Sequence, residues 1–165
     1  MHNVQQILIE SINFELDTYQ VYILFSKTFE KDAEFWNTLA EEELNHTSVL
    51  RKIRQFYQGN SKLIDIISVD DVNAIKETRK HLEKLVQKFK ENPSVKMAYE
   101  IAIEIENSIV ESKYQKFMSK VTDDRVIKLF QALNGDEFDH LKRIQEYFQD
   151  KKRHNTRLYF FHLNT

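Results

Sequence analysis

The chain contains no cysteine. Disulfides, thiolate metal sites, a cysteine nucleophile and a rubredoxin-type iron centre are thereby excluded from its 165 residues, and a reducing cytoplasm is the expected compartment. Two glycines and one proline leave few turn-makers, whereas a β-rich domain of this length needs many. The expected fold class is therefore all-α. A run of about 18 apolar residues is missing, and Met1-His2-Asn3-Val4-Gln5-Gln6 lacks the basic flank and apolar core of a secretion signal, so neither a membrane span nor a leader is expected. An excess of one charge is missing too. With 24 basic and 26 acidic residues the net charge is −2, which points to no nucleic-acid partner and no anionic membrane surface. The length suits one domain with a single core, expected over residues 1–150, followed by a basic and aromatic tail over 151–165.

What is present is helix periodicity. Between about Asn3 and Lys27, Leu8, Ser11, Ile12, Glu15, Tyr19, Tyr22 and Ser26 recur at spacings of three and four, with Glu15 on the midline of the stripe. A short polar link follows, in which Asp32 can cap the next helix, and so short a link makes the two helices antiparallel neighbours. The second helix, from about Ala33 to Tyr57, places Trp36, Leu39, Ala40, Glu43, His46, Leu50 and Ile53 on one side, with Gly59 as its C-cap. Glu41 and Glu42 fall off that midline and read as solvated surface.

The segment from Ser61 to Asn92 has its own helical pattern, capped by Ser68 or Asp70, and reads as a long helical crossover lying across the bundle between the second and third main helices. His81, among Arg79, Lys80 and Lys84, is expected to be exposed. Pro93 starts the third main helix, expected from Ser94 to Ser119. Of its carboxylates, Glu106 shares an arc of about 60° with apolar neighbours, whereas Glu104 lies about 160° away and belongs with Glu100 and Glu111 on the wet flank. The fourth helix, from about Arg125 to Gln149, turns Phe130, Leu133, Glu137, His140, Ile144 and Phe148 inward, and its Gly135 is unfavourable by about 1 kcal/mol.

Glu43 and His46 stand three residues apart, and so do Glu137 and His140. A Glu-x-x-His pair shares one helix face and can grip one metal ion. Depth along the bundle joins the pairs to partners: Glu15 and Glu43 both lie roughly 17–20 Å from the first turn at the rise of an α-helix, and Glu106 and Glu137 flank the second turn in the same way. Two equivalent half-sites result, Glu15/Glu43/His46 and Glu106/Glu137/His140. Four carboxylates on apolar stripes would each cost about several kcal/mol if nothing neutralised them, and two divalent cations cancel that charge. Carboxylate oxygen with imidazole nitrogen suits iron or manganese, with zinc as an adventitious occupant.

At these residues the chain resembles the ferritin-like di-iron carboxylate superfamily, which takes a Glu from each of two helices and Glu-x-x-His from each of the other two. Phe14-Glu15-Leu16-Asp17-Thr18-Tyr19-Gln20-Val21-Tyr22 and Leu39-Ala40-Glu41-Glu42-Glu43-Leu44-Asn45-His46 are most similar to rubrerythrin-type proteins, and the similarity spans roughly Asn3 to Gln149. The resemblance implies a ferritin-like four-helix bundle that holds two Fe ions, reacts with peroxide or O2, and assembles as a homodimer. It also implies that Glu43 and Glu137 bridge the ions, that Glu15 and Glu106 are terminal, and that His46 and His140 each hold one. Tyr22, and in the same way Tyr114, would hydrogen-bond near the metals. Two departures stand out. There is no cysteine for a rubredoxin-type relay, so an external electron-donor protein is expected, and Ile109 replaces an additional family carboxylate one turn beyond Glu106. The outcome is open between peroxide detoxification, ferroxidation with iron storage, and oxidation of an organic substrate. A rival reading is a metal-free helical interaction module with the aromatic tail as its contact surface.

Overall fold

A computed structural model describes residues 2–56, 69–108, 128 and 140–151. The described residues are helical almost throughout. Helix α1 (His2–Thr28) and helix α2 (Ala33–Phe56) are joined by Phe29 and a 3-10 turn at Glu30–Asp32. Helix α3 (Val69–Glu91) and helix α4 (Val95–Glu106) follow, and residues 140–151 form a further helical run, α5. No helix among the described residues is long and apolar enough to cross a membrane.

Contacts fix the direction of each helix. Arg54 reaches Gln5 at one end of the α1–α2 pair and Trp36 packs on Phe25 at the other, so the two are antiparallel. Tyr99 of α4 packs on Trp36 while Glu106 approaches Glu43, so α4 runs parallel to α2. Helix α5 runs back against α2, with Arg143 on Glu42 and Tyr147 stacked on Phe35. A parallel α2 and α4 demand a long return, and α3 provides it, at 23 residues and about 1.5 Å per residue. It does not lie across the bundle as expected. It lies along α1 and parallel to it, because Lys76 and Arg79 meet Glu10 near one end and Phe89 meets Phe25 and Phe29 near the other.

Helix α1 is therefore buried on two faces. Leu8, Ser11, Ile12, Glu15 and Tyr22 form the expected stripe, but Phe14, Val21 and Phe25 are equally buried on another face, with Phe25 against α3. The α3 side is fastened by Arg79, which donates to Asp17 at 2.6 Å and to Glu10 at 3.0 Å. His81 is exposed as expected, in contact with the exposed Glu104 at 2.5 Å.

Several local expectations change. Asp32 lies in the 3-10 turn, and its carboxylate accepts from Tyr147 at 2.8 Å and from Lys151, tying the first turn to α5. Asp70 is inside α3. Ser94, rather than Pro93, begins α4: it is the N-cap, and its hydroxyl accepts from the Met97 N–H at 3.2 Å. The regular part of α4 ends at Glu106, where the Asn107 side chain donates to the Ile103 carbonyl at 2.8 Å and the Ser108 N–H turns back to Ile105, and the expected run from 109 to Ser119 lies outside the described residues. Gly59, Ile109, Tyr114, Gly135, Glu137 and the tail from Lys152 onward lie outside the described residues.

Candidate metal centre

The middle of the bundle carries charge where packing alone would place apolar side chains. Glu15 projects from α1, Glu43 and His46 from α2, Glu106 from α4 and His140 from α5. All five are buried, none more than 7% exposed. One candidate ligand atom each from Glu15, Glu43 and His46 lies within 4.8 Å of the others, and the same holds for Glu43, Glu106 and His140. Glu43 belongs to both groups. The i, i+3 spacing on α2 brings His46 Nδ1 to 3.2 Å from Glu43 Oε2, and Nδ1 stands 3.9 Å from Glu15. The imidazole rings of His46 and His140 stack with centroids 5.2 Å apart.

His140 is clasped between carboxylates. Its Nδ1 lies 3.2 Å from Glu43 and 3.8 Å from Glu106, and its Nε2 lies 3.0 Å from Glu42. Neither nitrogen is aligned for a hydrogen bond within the described residues. A buried imidazole with carboxylate oxygens around it but no aligned partner fits a ligand set that closes on an ion. The oxygen and nitrogen donors suit iron, manganese or zinc.

Electrostatics follow from the crowding. Burial works to raise the Glu43 pKa, but His140 and His46 overcome it and hold the carboxyl well below the usual range. Glu106 goes the other way, pushed up to about 8 by burial and then by the Glu43 charge. Burial alone would lower the pKa of His140, yet Glu42 and Glu43 push it up to about 10. Tyr22 donates its hydroxyl to Glu106 Oε1 at 2.6 Å.

The sequence missed Glu42. It is half-buried, not solvated, and its carboxylate contacts both His140 and the guanidinium of Arg143. Burial opposes its ionisation, and His140 with Arg143 nevertheless holds its pKa down to about 2. The available signal was Arg143, one helical turn after His140, where a cation beside a metal-facing imidazole has to find an anion on the neighbouring helix.

A scan against family models matches the rubrerythrin family over residues 6–148. The chain belongs to the rubrerythrin family. The expected all-α, ferritin-like bundle is the fold of this rubrerythrin domain, and the match covers every described residue of the candidate centre. No curated protein and no solved structure matches the chain.

Proposed function

We propose that this rubrerythrin-family chain is a di-iron carboxylate protein, with manganese as the alternative metal, that carries out redox chemistry with peroxide or O2. The observation that supports this most is the pair of buried ligand groups sharing Glu43. Glu15 and His46 would hold one ion and Glu106 and His140 the other, while Glu43 and Glu137 would bridge them. Two Fe(II) ions would supply a pair of electrons to the bound oxidant. The protein's part is to hold and orient. Tyr22 fixes Glu106 through its hydroxyl, Glu42 and Arg143 fix the His140 ring, and Trp36, at 0% exposure, helps exclude water on the side toward the first turn. A separate electron-donor protein, a homodimeric assembly and a cytoplasmic location complete the reading. Against a metal-free interaction module stand the buried carboxylates, which such a module would carry at a cost of several kcal/mol with nothing gained.

Anaerobic Fe(II) titration followed by rapid mixing with peroxide or O2 tests the reading. Saturation at about two ions per chain and faster oxidation by peroxide support it, and no binding would sink it. The titration should also depend on pH. In the metal-free chain, Glu106 keeps its proton up to about pH 8 and His140 up to about pH 10, and a metal must displace both. Affinity therefore rises with pH, by about two decades per pH unit below pH 8, where both groups are still protonated. Calorimetry in buffers of different ionisation enthalpy reads the released protons directly, and a pH-independent affinity would contradict this assignment.

Glu42→Gln keeps the shape of that side chain and removes its charge. It is expected to lower metal affinity about 10- to 100-fold with the fold intact, as loss of a carboxylate behind a ligating histidine does. An unchanged affinity would make the Glu42–Arg143 pair a surface tie only.

A further inference from the structure

One buried hydroxyl at the edge of the candidate centre is unused by the fold. Thr28, Thr38, Thr47 and Thr78 each donate their hydroxyl to the carbonyl four residues back, that of Leu24, Glu34, Glu43 and Ala74. Thr18, the remaining described threonine, does not. It is 1% exposed, and its Oγ1 has no hydrogen-bond partner among the described residues. A hydroxyl buried in that state is destabilising, although the carbonyl of Phe14 stands in the same relation to it as those the other four use.

Helix geometry places that hydroxyl beside the ligands. Thr18 follows Glu15 by three residues and precedes Tyr22 by four, so the three share one face of α1. Glu15 belongs to one ligand group, and Tyr22 reaches back over the turn of Thr18 to donate to Glu106 of the other. The neighbouring helices add to the same layer, one turn from their ligands on the side of the first turn. These are Leu39 and Ala40 of α2, Ala102 of α4 and Ile144 of α5, each at 0% exposure. One turn further on, the rings of Tyr22, Trp36 and Tyr99 close the layer, with centroids 5.8 and 5.0 Å from Trp36 to its two neighbours. Two alanines and a threonine thus stand between a layer of Glu and His and a layer of aromatic rings. The layer is about 5 Å deep, one helical turn, which suits a ligand of about two or three heavy atoms.

We propose that the Thr18 hydroxyl contacts the substrate, as hydrogen-bond partner of a small oxygen species held on the first-turn side of the ligands. The inference rests on the di-metal reading and narrows it: the site takes peroxide or O2, and an organic substrate has no room beside Thr18. The hydroxyl can donate to one oxygen of the substrate and accept from a protonated one, so it orients the molecule between Glu15 and the Tyr22–Glu106 pair. Thr18 itself forms and breaks no covalent bond.

Thr18→Val keeps the shape of the side chain and removes the hydroxyl, and Thr18→Ser keeps the hydroxyl. Two readouts besides turnover separate the roles. In urea unfolding of the metal-free chain, T18V should have its midpoint at or above that of the wild type, because no hydrogen bond of the fold is lost. A lower midpoint would mean that the hydroxyl serves the fold, and would overturn the assignment. In the iron-loaded protein, azide is the probe, titrated by its optical band. T18V should bind as much iron as the wild type and azide about tenfold more weakly, the worth of one hydrogen bond, and T18S should restore the affinity. Wild-type azide affinity in T18V, or a T18S as weak as T18V, overturns the role of the hydroxyl and leaves the di-iron reading standing. A wild-type chain that takes up no iron overturns both.

Discussion

Glu43→Ala is expected to abolish the binding of both ions, leaving less than one equivalent of Fe(II) per chain in an anaerobic titration. The reason is that, among the described residues, Glu43 is the carboxylate common to both ligand groups, with Oε2 3.2 Å from His46 and Oε1 3.2 Å from His140. Removing Glu15 or Glu106 would leave one group complete, whereas removing Glu43 leaves neither. The loss should exceed the 10- to 100-fold expected at Glu42, because a direct ligand is removed and not its support. Circular dichroism serves as the control for the fold. Two ions bound with wild-type affinity by this variant would rule out a shared bridging carboxylate and separate the two groups into unrelated buried pairs.

Trp36→Ala should produce the largest loss of stability of any single truncation, about 3–5 kcal/mol in urea unfolding of the metal-free chain. Trp36 is at 0% exposure and touches rings from three helices: Tyr22 and Phe25 of α1, Phe35 of its own helix, and Tyr99 of α4. Those neighbours are in turn locked to α3 through Phe25 and Phe89 and to α5 through Tyr99 and Phe148, so little can collapse into the cavity. Its N–H has no partner among the described residues, and Trp36→Phe therefore forfeits volume but no hydrogen bond and should cost clearly less. Equal losses for the two variants would mean that the indole contributes by something other than packing.

The burial of Glu15, Glu43, His46, Glu106 and His140 was legible because each signal is local. Glu15, Glu43 and Glu106 each sit on the midline of an apolar stripe with a period near 3.6, and a stripe of that kind fixes which side is buried without knowledge of what covers it. The second buried face of α1 was not legible in the same way. Phe14, Val21 and Phe25 widen the stripe of α1, but only the placement of α3 along α1 decides that they too are covered. Glu42 was misread for a related reason. Its neighbours His140 and Arg143 are about a hundred residues away in sequence, and from α2 alone it is one more glutamate beside Glu41. Asp32 shows the same limit, since a carboxylate just before a helix has an obvious local use, and the contacts that claim it come from Tyr147 and Lys151.

The separation of those partners also governs how the bundle can form. Helices α1 and α2 meet across one short turn, so their pairing closes a small loop and should come early. The bond from Tyr147 to Asp32 spans 115 residues, and His140 reaches Glu43 over a comparable distance, so α5 can dock only after a long loop has been closed. The second ligand group is therefore among the last features to exist on the folding path and among the first to be lost on the reverse path. An ion held there grips contacts absent from the transition state, and its effect falls on the lifetime of the folded chain and hardly on the speed of folding.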